Sequence, residues 1–114
     1  MNILQFIGWA KENGGGSYNF ITGEINPTTG YMVALKDFQQ VSAVLDENLV
    51  KMYTREHAEF LIRDDVYLGL WLSNGLWYYD VSINVEGLAN AVLMGVKNRQ
   101  QAIWDCANNR EIQL

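Results

Sequence analysis

One stretch constrains this chain more than any other. Two β-rich runs, Val66–Leu72 and Leu76–Ile83, flank Ser73-Asn74-Gly75. Asn and Gly both tolerate positive φ, and an Asn-Gly pair between such runs predicts a tight hairpin. An amphipathic segment follows, Glu86–Lys97, with Leu88, Ala91, Val92 and Val96 on one face. Gly95 and Asn98 weaken and end it. Ala102–Cys106 and Glu111–Leu114 then read as a terminal hairpin joined by Ala107-Asn108-Asn109-Arg110. The chain is therefore organised around a sheet.

The N-terminal half is less regular. Asn2 is positioned to cap a first helix carrying Ile3, Leu4, Phe6, Ile7 and Ala10, and Asn13-Gly14-Gly15-Gly16 stops it. Ser17–Thr22 alternates as a strand, Gly23–Gly30 is turn chemistry around Pro27, and Tyr31–Leu35 returns, which predicts a second, looser hairpin. Lys36–Tyr53 is the least legible part, with Val41, Val44 and Leu45 suited to an edge strand or a helical turn. Thr54 is a good cap for a helix running to Arg63. Strands arriving in hairpin pairs favour an antiparallel sheet over a Rossmann-type alternation. The expectation is a single α+β domain over residues 1–114, an antiparallel sheet built from hairpins with about three helices. The helices should pack on one face and leave the other solvated or in use.

Composition excludes several classes. The 114 residues suit one domain, and 49% are hydrophobic, enough for a core without cross-links. The lone Cys106 rules out an internal disulfide and fits a reducing cytoplasm. No basic n-region precedes an apolar run at the N-terminus, so no signal peptide is expected. The most apolar stretch, Val66–Val85, is broken by Ser73, Asn74, Gly75, Asp80 and Ser82, which argues against a membrane span. Thirteen acids against eight bases give a net charge of −5. That opposes direct nucleic-acid binding, which depends on neutralising phosphates. Asp46–Asp65 alone carries six acids and three bases, a local charge of −3 that would attract a basic partner.

Motifs for chemistry are sparse. Asn13–Ser17 lacks the Lys-Ser/Thr of a phosphate loop and ends a helix instead of starting one. His57 and Cys106 could pair as base and nucleophile, but neither has a recognisable motif around it, and a buried Cys usually behaves as a small hydrophobe. Glu56 and Glu59 share a helix face and Asp64-Asp65 follows, yet no calcium-loop pattern is present. No cofactor, metal or catalytic residue is expected. The aromatic set is the strongest candidate: Trp71, Trp77, Tyr78 and Tyr79 crowd one hairpin. Alternation puts Trp77 and Tyr79 on one face and Tyr78 and Asp80 on the other. One face can be core. The other needs a cover, and Tyr and Trp are favoured at interfaces.

The C-terminal half resembles short accessory proteins of phages, prophages and conjugative elements. The residues that carry the likeness are Gly69-Leu-Trp71, Gly75, Tyr79-Asp-Val-Ser82, the Ala89–Gly95 helix and Asn98–Asp105, with the Asn26–Tyr31 turn added. The resemblance implies an anti-defence protein of the anti-CRISPR or anti-restriction type, an inhibitor acting in the host cytoplasm on a nucleic-acid-binding defence complex. A charge of −5 is thin for a DNA mimic.

The sequence thus points first to an acidic, non-enzymatic protein-binding module. Its expected partner-binding residues are Trp71, Trp77, Tyr78, Tyr79, Glu56, Glu59, Asp64 and Asp65. The alternatives are a small-molecule-binding domain or small enzyme with a pocket beside the aromatic hairpin, and a structural module that forms a homodimer.

Overall fold

The computed structural model covers residues 1–114 and is α+β. The chain runs α1 (Ile3–Asn13), β1 (Gly15–Tyr18), β2 (Tyr31–Ala34), β3 (Gln40–Ser42), α2 (Glu47–Glu56), α3 (Ala58–Leu61), β4 (Val66–Ser73), β5 (Leu76–Val85), α4 (Leu88–Lys97), β6 (Ala102–Asp105) and β7 (Arg110–Gln113). All seven strands join one antiparallel sheet in the order β1-β4-β5-β2-β6-β7, with β3 also on β5.

The expected Asn74-Gly75 turn is present, with φ of 52° and 77°. It sets the β4–β5 register from Ser73↔Leu76 to Val66↔Ile83. Because side chains alternate along a strand, this register sends Val66, Leu68, Leu70, Trp77, Tyr79 and Val81 to one face, where all are buried. Burying each such side chain contributes about 1.5–3 kcal/mol. Helices α1, α2 and α3 supply Phe6, Ile7, Ala10, Val50, Tyr53 and Leu61 to the same core. Helix α4 packs on β2 and β6 through Ala91, Val33 and Ile103. Every helix therefore lies on one side of the sheet.

Helix α1 begins as its sequence implies. The Gln5 N–H donates to Asn2 Oδ1 and the Asn2 N–H donates to Gln5 Oε1, both at 2.9 Å, a reciprocal capping box. The N-terminal hairpin, however, is overturned. Strands β1 and β2 do not pair. β1 lies on β4 and β2 on β5, so two strands separate them. The cause is Asn19, fully buried, which sequence alternation places inside a strand. Its Nδ2 donates to the carbonyls of Arg63, Asp64 and Val66, while its Oδ1 accepts the N–H groups of Ile21 and Thr22. These bonds end β1 at Tyr18 and fasten the following loop to the entrance of β4. The Thr54–Arg63 helix is also corrected. Asp46 caps α2, accepting the Asn48 N–H at 3.0 Å, and Thr54 lies inside that helix, not before it.

The partners of β5 change along one edge. Trp77–Tyr79 pair with β3 and Ser82–Val85 pair with β2, while β4 occupies the whole opposite edge. Between those pairings the chain leaves β2 at Ala34 and returns at Gln40. Asp80 sits at this gap.

Candidate binding face

The helix-free face of the sheet is built from the other alternating set. Its cross-strand rows follow from the register. Ser17, Gly69 and Asp80 form one, Gly15, Trp71 and Tyr78 a second, and Tyr67 and Ser82 a third. On the far side of β2, Met32 lies beside Trp104, which in turn lies opposite Glu111. Small residues (Ser17, Gly69, Ala34, Ser82, Ala102) thus make a floor, and Trp71, Met32 and Trp104 rise from it. The result is a trough of about 270 Å³ lined by these residues, except Gly69 beneath Asp80, together with Asp80 and Glu111. A second cavity of about 260 Å³ shares Ser17, Met32, Trp71 and Trp104 with it and reaches Asn26, Pro27 and Asn109. The two are neighbours on the same face.

Two glycines are needed where they stand. A Cβ on Gly15 would collide with the Leu70 carbonyl and lie 2.8 Å from the Trp71 ring, so both β4 and the indole settle onto β1 only over a bare backbone. A Cβ on Gly69 would collide with the Asp80 carboxylate, which folds across that residue. Glycine weakens a strand interior, and here it marks the close approach of a side chain to the backbone.

Asp80 is the one carboxylate in the floor. The Ser82 hydroxyl donates to its Oδ1 at 2.7 Å. Part of the residue reaches the trough, but its carboxylate is desolvated. That burial pushes its pKa above the ordinary carboxylate value, and the hydroxyl of Ser82 and the indole of Trp71 pull it only part of the way back. No basic group offsets it. The ion pairs of the molecule are Lys51–Glu47, Arg63–Asp65, Arg110–Asp105 and a long contact of His57 with Glu56. A cleft on the other side of Asp80 contains Lys36 and Arg99, yet neither pairs with it.

One end of this face is closed by the loop after β1. Glu24 Oε1 accepts the Tyr67 hydroxyl at 2.6 Å, and Asn26 Oδ1 accepts the Ser17 N–H at 2.9 Å. Beneath lie Met32, Tyr67 and Cys106. Burial first, then the charge of Asp105, raises the Cys106 thiol pKa, which keeps it a thiol. His57 lies on the opposite side of the sheet, edge-on to Phe38 and Tyr53 among the helices. The two cannot act as base and nucleophile on one substrate.

The expected partner-binding residues separate into three groups. Trp71, 40% exposed, and the half-buried Tyr78 lie on the open face. Trp77 and Tyr79 are core, 8% and 1% exposed, and Tyr79 shares a 2.7 Å hydrogen bond with Ser42. They offer a partner no surface. Glu56 and Glu59 are exposed on the helical side, Asp64 is exposed in the loop that enters β4, where its charge reaches Tyr67, and Asp65 is paired with Arg63 at 2.9 Å. The open-face aromatics and the helical acids Glu56 and Glu59 are therefore on different sides of the sheet. Sequence reading passed over Trp104, Met32, Ser17 and Glu111. Only the β2–β6 pairing brings Trp104 to the trough, and no local pattern announces it. No group of three or more His, Cys, Asp or Glu side chains is arranged to hold a metal ion. No helix is long and apolar enough to cross a membrane.

No protein-family model, curated protein or solved structure matches the chain. The class that fold and face define is an α+β protein with a one-sided antiparallel sheet.

Proposed function

We propose that this chain is a non-enzymatic binding module that engages a protein partner through the helix-free face of its sheet. The observation that carries the reading is the open trough with Trp71 exposed at its side. A large, stiff aromatic left in water beside a concave floor is the usual anatomy of an interface anchor. The resemblance of the C-terminal half to mobile-element accessory proteins makes a host-defence complex, anti-CRISPR or anti-restriction in its consequence, the first partner to test. In that setting the chain would act in the host cytoplasm.

The test uses the tagged full chain as bait in host cells expressing a defence system, with Trp71→Glu beside the wild type. A defence protein retained by the wild type and lost with Trp71→Glu supports the reading. Equal recovery by both would remove the open face from the interaction. A second reading, a small-molecule site, draws on the convergence of Asp80, Ser17 and Ser82 in one cavity. It predicts that a metabolite co-purifies with the chain and that mass spectrometry of the denatured protein detects it.

A further inference from the structure

We infer that the Asp80 trough is a receptor for the guanidinium of an arginine side chain carried by the protein partner. The inference rests on the docking reading above and names what the trough recognises.

Three observations converge. The first is charge. Asp80 lies in the floor with two neutral donors, the Ser82 hydroxyl and the Trp71 indole, but no cationic partner, and Glu111 lines the same trough. A desolvated carboxylate in that position gains most from an incoming cation that brings its own hydrogen bonds. The second is the walls. Trp71 and Trp104 line the same space as the carboxylate. Indole faces attract cations, and a planar guanidinium can stack on them while its edge donates to a carboxylate. Lysine offers a point charge without that plane. The third is the construction of the floor. Gly69, Ser17, Ala34 and Ser82 keep the sheet around Asp80 free of bulk, and on the edge away from β4 neither β2 nor β3 pairs with β5 at Asp80. A long, thin side chain can reach the carboxylate down this slot. Met32 adds a soft apolar surface for its methylene stem.

Other features carry less. The exposed apolar residues of α4, Leu88, Leu93 and Val96, form an unpartnered face with nothing to say what covers it. Cys106 is a lone buried thiol.

The experiment titrates the full-length, nitrogen-15-labelled chain with two short blocked peptides, Gly-Arg-Gly and its neutral isostere Gly-citrulline-Gly. The expected result is a saturable shift of the Trp71 and Trp104 indole N–H signals with the arginine peptide. Citrulline should leave them in place. Asp80→Asn, which keeps an acceptor for Ser82, should weaken the arginine peptide at least tenfold. Glu111→Gln, an exposed change that leaves the fold alone, should weaken it two- to threefold and guards against a folding defect in the first variant. Equal response to citrulline, unchanged affinity in Asp80→Asn, or shifts confined to Trp9 and Trp77 would overturn the inference. A randomised peptide library selected on the wild type separates the two levels of the argument. Peptides that need Trp71 but show no arginine enrichment would sink the arginine receptor and leave the docking face. Peptides indifferent to Trp71→Glu would sink both.

Discussion

At the scale of single residues, Asp80 combines a stability cost with a proposed use. Its pKa is raised above the ordinary 3.8 because burial disfavours the charged form. The sign follows from linkage. Below the ordinary carboxylate value both folded and unfolded chains carry a neutral Asp80, and the fold is not penalised. As pH rises through the folded pKa, that advantage is lost. Asp80→Asn should therefore raise the melting temperature at pH 7 by a few degrees. The gap between variant and wild type should close as pH falls towards 3.8. Thermal melts across pH 3 to 8 would check this, and a variant less stable at pH 7 would contradict it. Stabilisation together with loss of binding is the pattern of a site held at the expense of stability. Cys106 and His57 make the opposite pair. Cys106→Ala should cost about 1 kcal/mol as a small cavity in the Met32–Tyr67 cluster. Cys106→Ser and His57→Gln should leave partner capture intact. A large loss of function in either, with folding preserved, would reopen an enzymatic reading.

At the scale of elements, α2 carries a visible inconsistency. Thr54 is a sound capping residue by type, but the helix starts eight positions earlier at Asp46, and Thr54 is left in its last turns. Its hydroxyl is buried without a hydrogen-bond partner. A buried polar group in that state costs more than it contributes. Thr54→Val keeps the shape and removes the hydroxyl, so it should stabilise the chain by about 0.5–1 kcal/mol. An increased urea midpoint with an unchanged slope is the expected readout. The β4–β5 hairpin shows the reverse situation. There the turn chemistry, the β-rich runs and the final register agree, because hairpin pairing is local and Asn74-Gly75 sets it almost alone.

At the scale of the molecule, the surface has two distinct sides. The aromatic trough occupies the helix-free face, the exposed acids Glu56 and Glu59 lie on the helical one, and Asp64 is exposed at the entrance of β4. If the acidic side assists the same partner, it acts at long range. Reversing Glu56, Glu59 and Asp64 to Lys should then slow association more than it speeds dissociation, and the effect should fade in high salt. Binding kinetics that ignore both the reversal and the salt would leave these acids as solvated surface and the open face as the sole determinant.

Features that depend on neighbours along the chain were legible from the residues alone. They include the Asn2 cap of α1, the Asn74-Gly75 hairpin, the terminal β6–β7 hairpin and the alternation that sends Trp77 and Asp80 to opposite faces. Which strands meet was set by contacts between distant segments. Asn19 looks like a strand residue until its amide is seen closing the backbone of a segment more than forty positions away. That closure separates β1 from β2, lets β4 and β5 pass between them, and so places Ser17, Gly69 and Asp80 in one row. Trp71 and Trp104 are likewise distant in sequence and share a trough only because β2 pairs with both β5 and β6. Local propensity acts over a few residues, whereas a site on a sheet is defined across strands, and cross-strand order is fixed by long-range hydrogen bonds and core burial.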